Sequence, residues 1–160
     1  MHALLSILVL SGAAQASNCR HDVYRALGAQ RYRMYCVHAP KALLSLAAVT
    51  NQNERARGLM DVRILPDRIG MIFEFPGGDG FHVFWMKNTL IPLDMVFIRA
   101  DGTVSSIAKN VPATTHVTPD QQIPRRYGTG QFVIELNAGE AARDGLSPGV
   151  RLAIPKLRAL

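Results

Sequence analysis

Recognisable catalytic motifs are what this chain lacks most. No G-x-S-x-G elbow, H-E-x-x-H pair or phosphate-cradling glycine loop occurs anywhere in it. The sequence-level signatures of α/β-hydrolase, zinc-protease and P-loop chemistry are therefore missing. Cysteine is nearly absent: only Cys19 and Cys36 are present, and their separation is not the C-x-x-C of a zinc or dithiol site. The one apolar run near the start, Leu4 to Leu10, is too short to span a bilayer. There is no internal repeat and no low-complexity tract. Basic residues are scattered, without a recognition-helix pattern or aromatic interleaving, which argues against nucleic acid.

What is present suits one exported domain. The chain of 160 residues is long enough for a core without disulfide support. Residues 1–16 read as a secretory signal with Ala14-Gln15-Ala16 as an A-x-A cleavage site, predicting a periplasmic or extracellular location. Residues 17–42 form a lead-in that holds both cysteines, and residues 43–156 form the domain. In an oxidising compartment Cys19 and Cys36 are expected to form a structural disulfide, worth about 3 kcal/mol in the chain-entropy model. The formal charge of +6 favours acidic surroundings such as anionic lipid, cell-wall polymers or an acidic partner.

Periodicity predicts a β-rich α+β domain, a partly closed sheet or barrel of short strands with two short helices. Strands are expected around Tyr32–Cys36 and over Leu43–Val49, Gly70–Phe75, Val104–Ile107, Phe132–Leu136 and Val150–Ile154. Asn51 with Glu54 three residues on resembles a capping box and predicts a helix over Gln52–Met60, with Gly58 inside it. Ala138–Asp144 reads as a second helix stopped by Gly145. Asn110–Gly130, rich in proline and threonine, is expected to be a long irregular lid or wall.

The centre of the chain is Phe81–Arg99, which holds the only Trp. Two alternating runs meet at a bend. In the first, Phe81, Val83, Trp85 and Lys87 share one face, while His82, Phe84, Met86 and Asn88 share the other. Both faces are apolar up to the cluster, which predicts a strand covered on both sides. In the second run, Asp94 falls on an apolar face, and a buried carboxylate needs donors or a cation. Two readings follow. Asp94 either ties down the bend, accepting from backbone and Thr89, or faces a polar ligand together with Lys87 and Asn88.

The strings Glu54-Arg55-Ala56-Arg57-Gly58-Leu59-Met60, Gly70-Met71-Ile72-Phe73, Phe84-Trp85-Met86-Lys87-Asn88-Thr89 with Ile91-Pro92-Leu93-Asp94, Val133-Ile134-Glu135-Leu136 and Ala138-Gly139 together resemble the DUF192 (UPF0127) family. The resemblance covers about Leu43 to Ile154. It implies a compact β-rich fold, commonly behind an export signal, and no assigned activity or catalytic residues. The chain departs from the family pattern at Asp61-Val62-Arg63-Ile64, where relatives tend to be aromatic and basic. It departs again at Asn137, where Pro is usual, and at Gly149-Val150, where a Gly-Asp pair is usual. If that Asp belongs to a shared polar site, this chain lacks it.

Three functional readings arise. The first is a non-catalytic ligand-binding or envelope accessory domain. Its pocket is floored by Trp85, with Lys87, Asn88, Thr89 and Asp94 at the rim and Arg57 and Glu135 nearby, and it takes a small polar ligand or an envelope component without a cofactor. The second is a hydrolase or transferase in which Asp94 and Glu135 act as paired carboxylates and Lys87 stabilises an anion. The third is a copper site built from Met60, Met71, Met86 and His82, ligands that Cu(I) accepts.

Overall fold

The computed structural model describes Leu27 and residues 32–155. The expected signal segment and Cys19 lie outside the described residues, so neither the signal nor the Cys19–Cys36 pairing is addressed by the fold. Eight strands and two short helices follow in order: β1 (Arg33–Ala39), β2 (Ala42–Val49), α1 (Gln52–Arg57), β3 (Ile69–Glu74), β4 (Gly80–Trp85), β5 (Leu93–Ile98), β6 (Val104–Val111), β7 (Arg125–Gly130), β8 (Phe132–Asn137) and α2 (Glu140–Arg143).

Six strands form one sheet in the order β1-β2-β3-β8-β5-β6. Only the β2–β3 pair is parallel, with α1 in the crossover between them. The remaining neighbours are antiparallel. The expected barrel does not form. Instead of extending the sheet toward closure, β4 and β7 leave it and pair with each other as a separate antiparallel ribbon.

Both faces of the sheet are apolar, as the near-continuous hydrophobic runs of β5 and β8 require. Cross-strand register aligns Ala47, Met71, Glu135, Met95 and Ala108 in one row on one face. Ala48, Ile72, Ile134, Val96 and Ile107 form a row on the other. The first face packs with Leu59, Phe84, Met86 and Ile123, the second with Ala141, Leu146 and Leu152.

Local chemistry explains the helix and adjusts its length. Asn51 Oδ1 accepts from the Glu54 N–H at 2.9 Å, and Glu54 reaches back to the Thr50 N–H at 3.1 Å. This caps α1 in the manner the sequence suggests, except that the return bond lands one residue early. The helix is shorter than expected, because Gly58 terminates it at φ +48° instead of sitting inside it. A Cβ there would come within 3.3 Å of the Phe73 ring, the close packing that a glycine permits.

Two further expectations change. The segment from Asn110 to Gly130 is not one irregular loop. β6 continues to Val111 and β7 begins at Arg125, which confines the irregular part to residues 112–124. Val150–Ile154 is not a strand but contributes one isolated bridge, Thr103 to Arg151. There the chain wraps the β5–β6 turn through bonds at Gly102 and Val104, with Leu152 buried and Ile154 packed against the same cluster.

The ribbon lies directly on the sheet. A Cβ on Gly128 would fall 2.3 Å from the Phe97 ring, and one on Gly130 2.3 Å from the Ile98 carbonyl oxygen. Gly128→Ala is therefore expected to lift β7 from β5 and cost about 1–3 kcal/mol, as overpacking does. A lowered urea midpoint would register this, and an unchanged midpoint would mean that the ribbon is not seated on the sheet.

Candidate functional site

Strand alternation sorts the ribbon into two faces. The inner face of β4 is a packed aromatic layer. Phe84 meets Phe73 edge-on at 5.0 Å and Phe97 at 6.0 Å, while His82 stacks on Phe75 at 3.7 Å and its Nε2 lies 2.8 Å from the Gly130 carbonyl. The outer face is uncovered. Phe81 is 68% exposed, Val83 54%, Trp85 41% and Tyr127 58%. The expectation that β4 is covered on both sides is thus corrected. Its second apolar face meets solvent because the two-stranded ribbon has a sheet beneath it and no described layer above it.

That outer face is ordered. Val83 pairs with Tyr127, Phe81 with Thr129 and Trp85 with Arg125 across the ribbon. The Phe81 and Tyr127 rings lie nearly parallel, 6.0 Å apart. At the Trp85 end, Lys87 Nζ sits 5.2 Å from the indole centroid and 3.4 Å from Asp120 Oδ1.

The Lys87-Asn88-Thr89 cluster is a tight turn. The Thr89 N–H donates to the Met86 carbonyl at 3.0 Å, and Asn88 occupies the left-handed region at φ +52°, a conformation that asparagine tolerates. Thr89 is buried and its hydroxyl donates to the Lys87 carbonyl at 3.2 Å. The flanking loops lock this turn in place. Thr114 donates its hydroxyl to the Met86 carbonyl and its N–H to the Thr89 carbonyl at 2.8 Å, and the Asp61 N–H donates to the Asn88 carbonyl at 3.0 Å. The 112–124 segment is thus a wall against the turn, held also by an Asp61–His116 pair at 3.1 Å.

Asp94 lies elsewhere. It is 1% exposed. Its Oδ1 accepts from the Asn110 N–H at 2.8 Å, and its Oδ2 accepts from the Gly139 and Ala141 N–H groups at 2.9 and 3.0 Å. It thereby pins the β-bulge where β6 carries an extra residue opposite β5 and caps α2 from another strand. Asp94 is a tie, but of the β6 bulge and α2 and not of the bend, and Thr89 is not among its partners.

Glu135 faces the other way. It pairs with Met95 while Asp94 pairs with Leu136, so these neighbours on adjacent strands project to opposite sides of the sheet. They do not converge as an acid–base pair. Glu135 sits in register between Met71 and Met95. Burial there pushes its carboxyl up to about 8. Arg57 is exposed on α1 and, among the described residues, makes no hydrogen bond or ion pair with the other six.

Of the seven residues expected to form a pocket, the structure brings together Trp85 and Lys87 over the turn built by Asn88 and Thr89. Asp94, Glu135 and Arg57 stand apart. The Met/His set is likewise dispersed. Met71 and Met86 are in the core, Met60 is half-buried and His82 is held in the aromatic stack. Among the described residues no group of three or more His, Cys, Asp or Glu is arranged to hold a metal ion. A cleft of about 750 Å³ near Glu74, Asp101 and Arg151 contains none of the seven. Sequence reasoning missed Phe81, Val83, Tyr127 and Arg125. The available signal was Gly128 and Gly130, which follow Tyr127 and flank Thr129, since alternating glycines mark a strand pressed onto another layer with the side chains between them outward.

Residues 37–154 match the model of the DUF192 family, described as "Uncharacterized ACR". The chain belongs to the DUF192 family. This DUF192 chain resembles a solved structure from Sinorhizobium meliloti 1021, described as a candidate transcription regulator. The two are 35% identical over 79% of this chain and 98% of that one, with a TM-score of 0.67. A protein of unknown function from Novosphingobium aromaticivorans DSM 12444 is 26% identical over 85% of this chain and 99% of that one, with a TM-score of 0.64. No curated protein matches the chain. The DUF192 departure at Asn137 has a structural role here, because its Nδ2 donates to the Leu65 carbonyl at 2.7 Å and a proline there would lack that donor.

Proposed function

We propose that this DUF192 chain is an exported, non-catalytic binding domain that docks onto a component of the cell envelope through the outer face of the β4–β7 ribbon. The observation that carries this reading is the set of four large apolar side chains left in solvent on one ordered surface, Phe81, Val83, Trp85 and Tyr127. A contiguous apolar patch on an otherwise well-packed domain marks an interaction site. Lys87 and Arg125 border it. The separation of Asp94 from Glu135 removes the paired-carboxylate basis for the hydrolase reading, and the dispersal of the Met/His set weakens the copper reading. The description of the Sinorhizobium meliloti relative suggests DNA, but the ribbon face offers Phe, Val, Trp and Tyr where a β-ribbon reader needs groups that hydrogen-bond base edges.

The test is sedimentation of the purified chain, begun at Ser17, with an isolated envelope fraction. The double variant Phe81→Ser/Tyr127→Ser should keep its melting temperature within about 2 °C, as exposed substitutions do, and lose at least tenfold in binding. Undiminished binding by a folded variant overturns the reading.

A further inference from the structure

Resting on that docking reading, we infer that the surface engaged by the ribbon is the interface of an anionic lipid bilayer. Three features point to lipid. The first is the set of residue types. Trp85 and Tyr127 are the side chains that settle at the boundary between headgroups and acyl chains, and Phe81 and Val83 add purely apolar contact. A saccharide would need several hydrogen-bonding side chains among the rings, whereas here Thr129, opposite Phe81, carries the one hydroxyl besides the tyrosine, and the charged donors Lys87 and Arg125 stand together at the Trp85 end.

The second feature is charge. Arg125 lies across from Trp85 and has no ion-pair partner among the described residues. Lys87 sits over the same ring. The whole chain carries +6, so an anionic surface attracts it before any apolar contact is made, with roughly fivefold in affinity for each basic residue near the membrane. Asp120 offsets part of the Lys87 charge at 3.4 Å, which leaves Arg125 as the larger contributor.

The third feature is size. Six residues per strand at about 3.3 Å and two strands about 4.8 Å apart give a face of only a few hundred Å² with its side chains. A stable dimer or protein complex needs about 800 Å² from each partner. A membrane has no such threshold, because a shallow apolar contact adds to long-range attraction. Rigidity suits the same occupant. On the inner face Phe84 packs on Phe97 and His82 stacks on Phe75, so the outer rings enter an interface from an ordered ribbon without a folding step.

The test uses the intact chain from Ser17 with vesicles of phosphatidylcholine alone and vesicles in which a third of the lipid is phosphatidylglycerol. Because the chain has a single Trp, its emission reports on this face alone. Binding is expected only with the anionic vesicles. Trp85 emission should shift to the blue, lose its accessibility to iodide and be quenched by lipid brominated high on the acyl chain. Arg125→Glu should weaken binding at least fivefold. Phe81→Ser/Val83→Ser should abolish the bromolipid quenching while leaving the melting temperature in place. Absence of vesicle binding overturns the lipid inference, as does binding in which Trp85 stays open to iodide. The two failures remain separable. If the envelope fraction still retains the wild type and not Phe81→Ser/Tyr127→Ser, docking stands with a wall polymer or protein as occupant. If the envelope fraction retains both equally, the docking reading falls as well.

Discussion

Replacing Asp94 by alanine should cost about 3–5 kcal/mol, as much as truncating a large core side chain. Three backbone N–H groups converge on its carboxylate, from Asn110, Gly139 and Ala141. Each buried donor left without a partner costs about 1–3 kcal/mol, and bonds to an ionised acceptor are the stronger kind. Asp94→Asn is the sharper probe. Its carboxamide oxygen can serve the two donors on α2, but its nitrogen then confronts the Asn110 N–H, donor against donor. The expected loss is about 2–3 kcal/mol, read as a fall in melting temperature of roughly 5–12 °C. The loss should come with the β5–β6 bulge and α2 loosened together, visible as faster amide exchange at Asn110, Gly139 and Ala141. Because Asp94 points away from the ribbon, binding by the folded fraction at low temperature should stay at the wild-type level. A variant that keeps its stability and loses binding would move Asp94 from the frame of the fold into the site.

The contrast between Asp94 and the α1 cap shows which features were legible in the sequence. The Asn51–Glu54 bond spans three residues, so local chemistry specifies it and the pattern reveals it. The donors to Asp94 lie 16, 45 and 47 residues away, and nothing near it names them. An acid on an apolar face told that partners must exist, but not that α2 would bring them. Most strands were readable from alternation and apolar runs, because a sheet covered on both faces imposes that pattern. The ribbon was not. An apolar–apolar alternation describes a strand between two layers and a strand with one layer and one open binding face equally well, and only tertiary placement tells them apart. The Lys87-Asn88-Thr89 cluster drew attention as a group of polar side chains. Its asparagine serves backbone geometry, at φ +52°, while its lysine alone reaches the surface that the aromatic residues form.

Above neutral pH, Glu135→Gln should be more stable than the wild type. The Glu135 carboxyl is enclosed beside Met71 and Met95 in the sheet register, and desolvation raises its pKa from the ordinary 4.5 to about 8. A raised carboxyl means that the native state holds a proton which the unfolded chain gives up once pH passes about 4.5. Stability is therefore fully present below that point, declines as pH rises toward about 8, at up to about 1.4 kcal/mol per pH unit, and levels off beyond. Glutamine keeps the shape, is neutral throughout and lacks this decline. The two proteins should have similar urea midpoints near pH 4 and diverge steadily toward pH 8, with the variant the more stable. Glu74 and Glu140 are also raised by burial. The wild-type profile contains their slopes too, and the difference between the two proteins isolates the share of Glu135. Parallel profiles would mean that Glu135 titrates near its ordinary value, with water reaching it past the methionines. The predicted sign suits the proposed setting, since an exported domain is exposed to the pH of its surroundings and a buried protonated glutamate makes this one sturdier as they acidify.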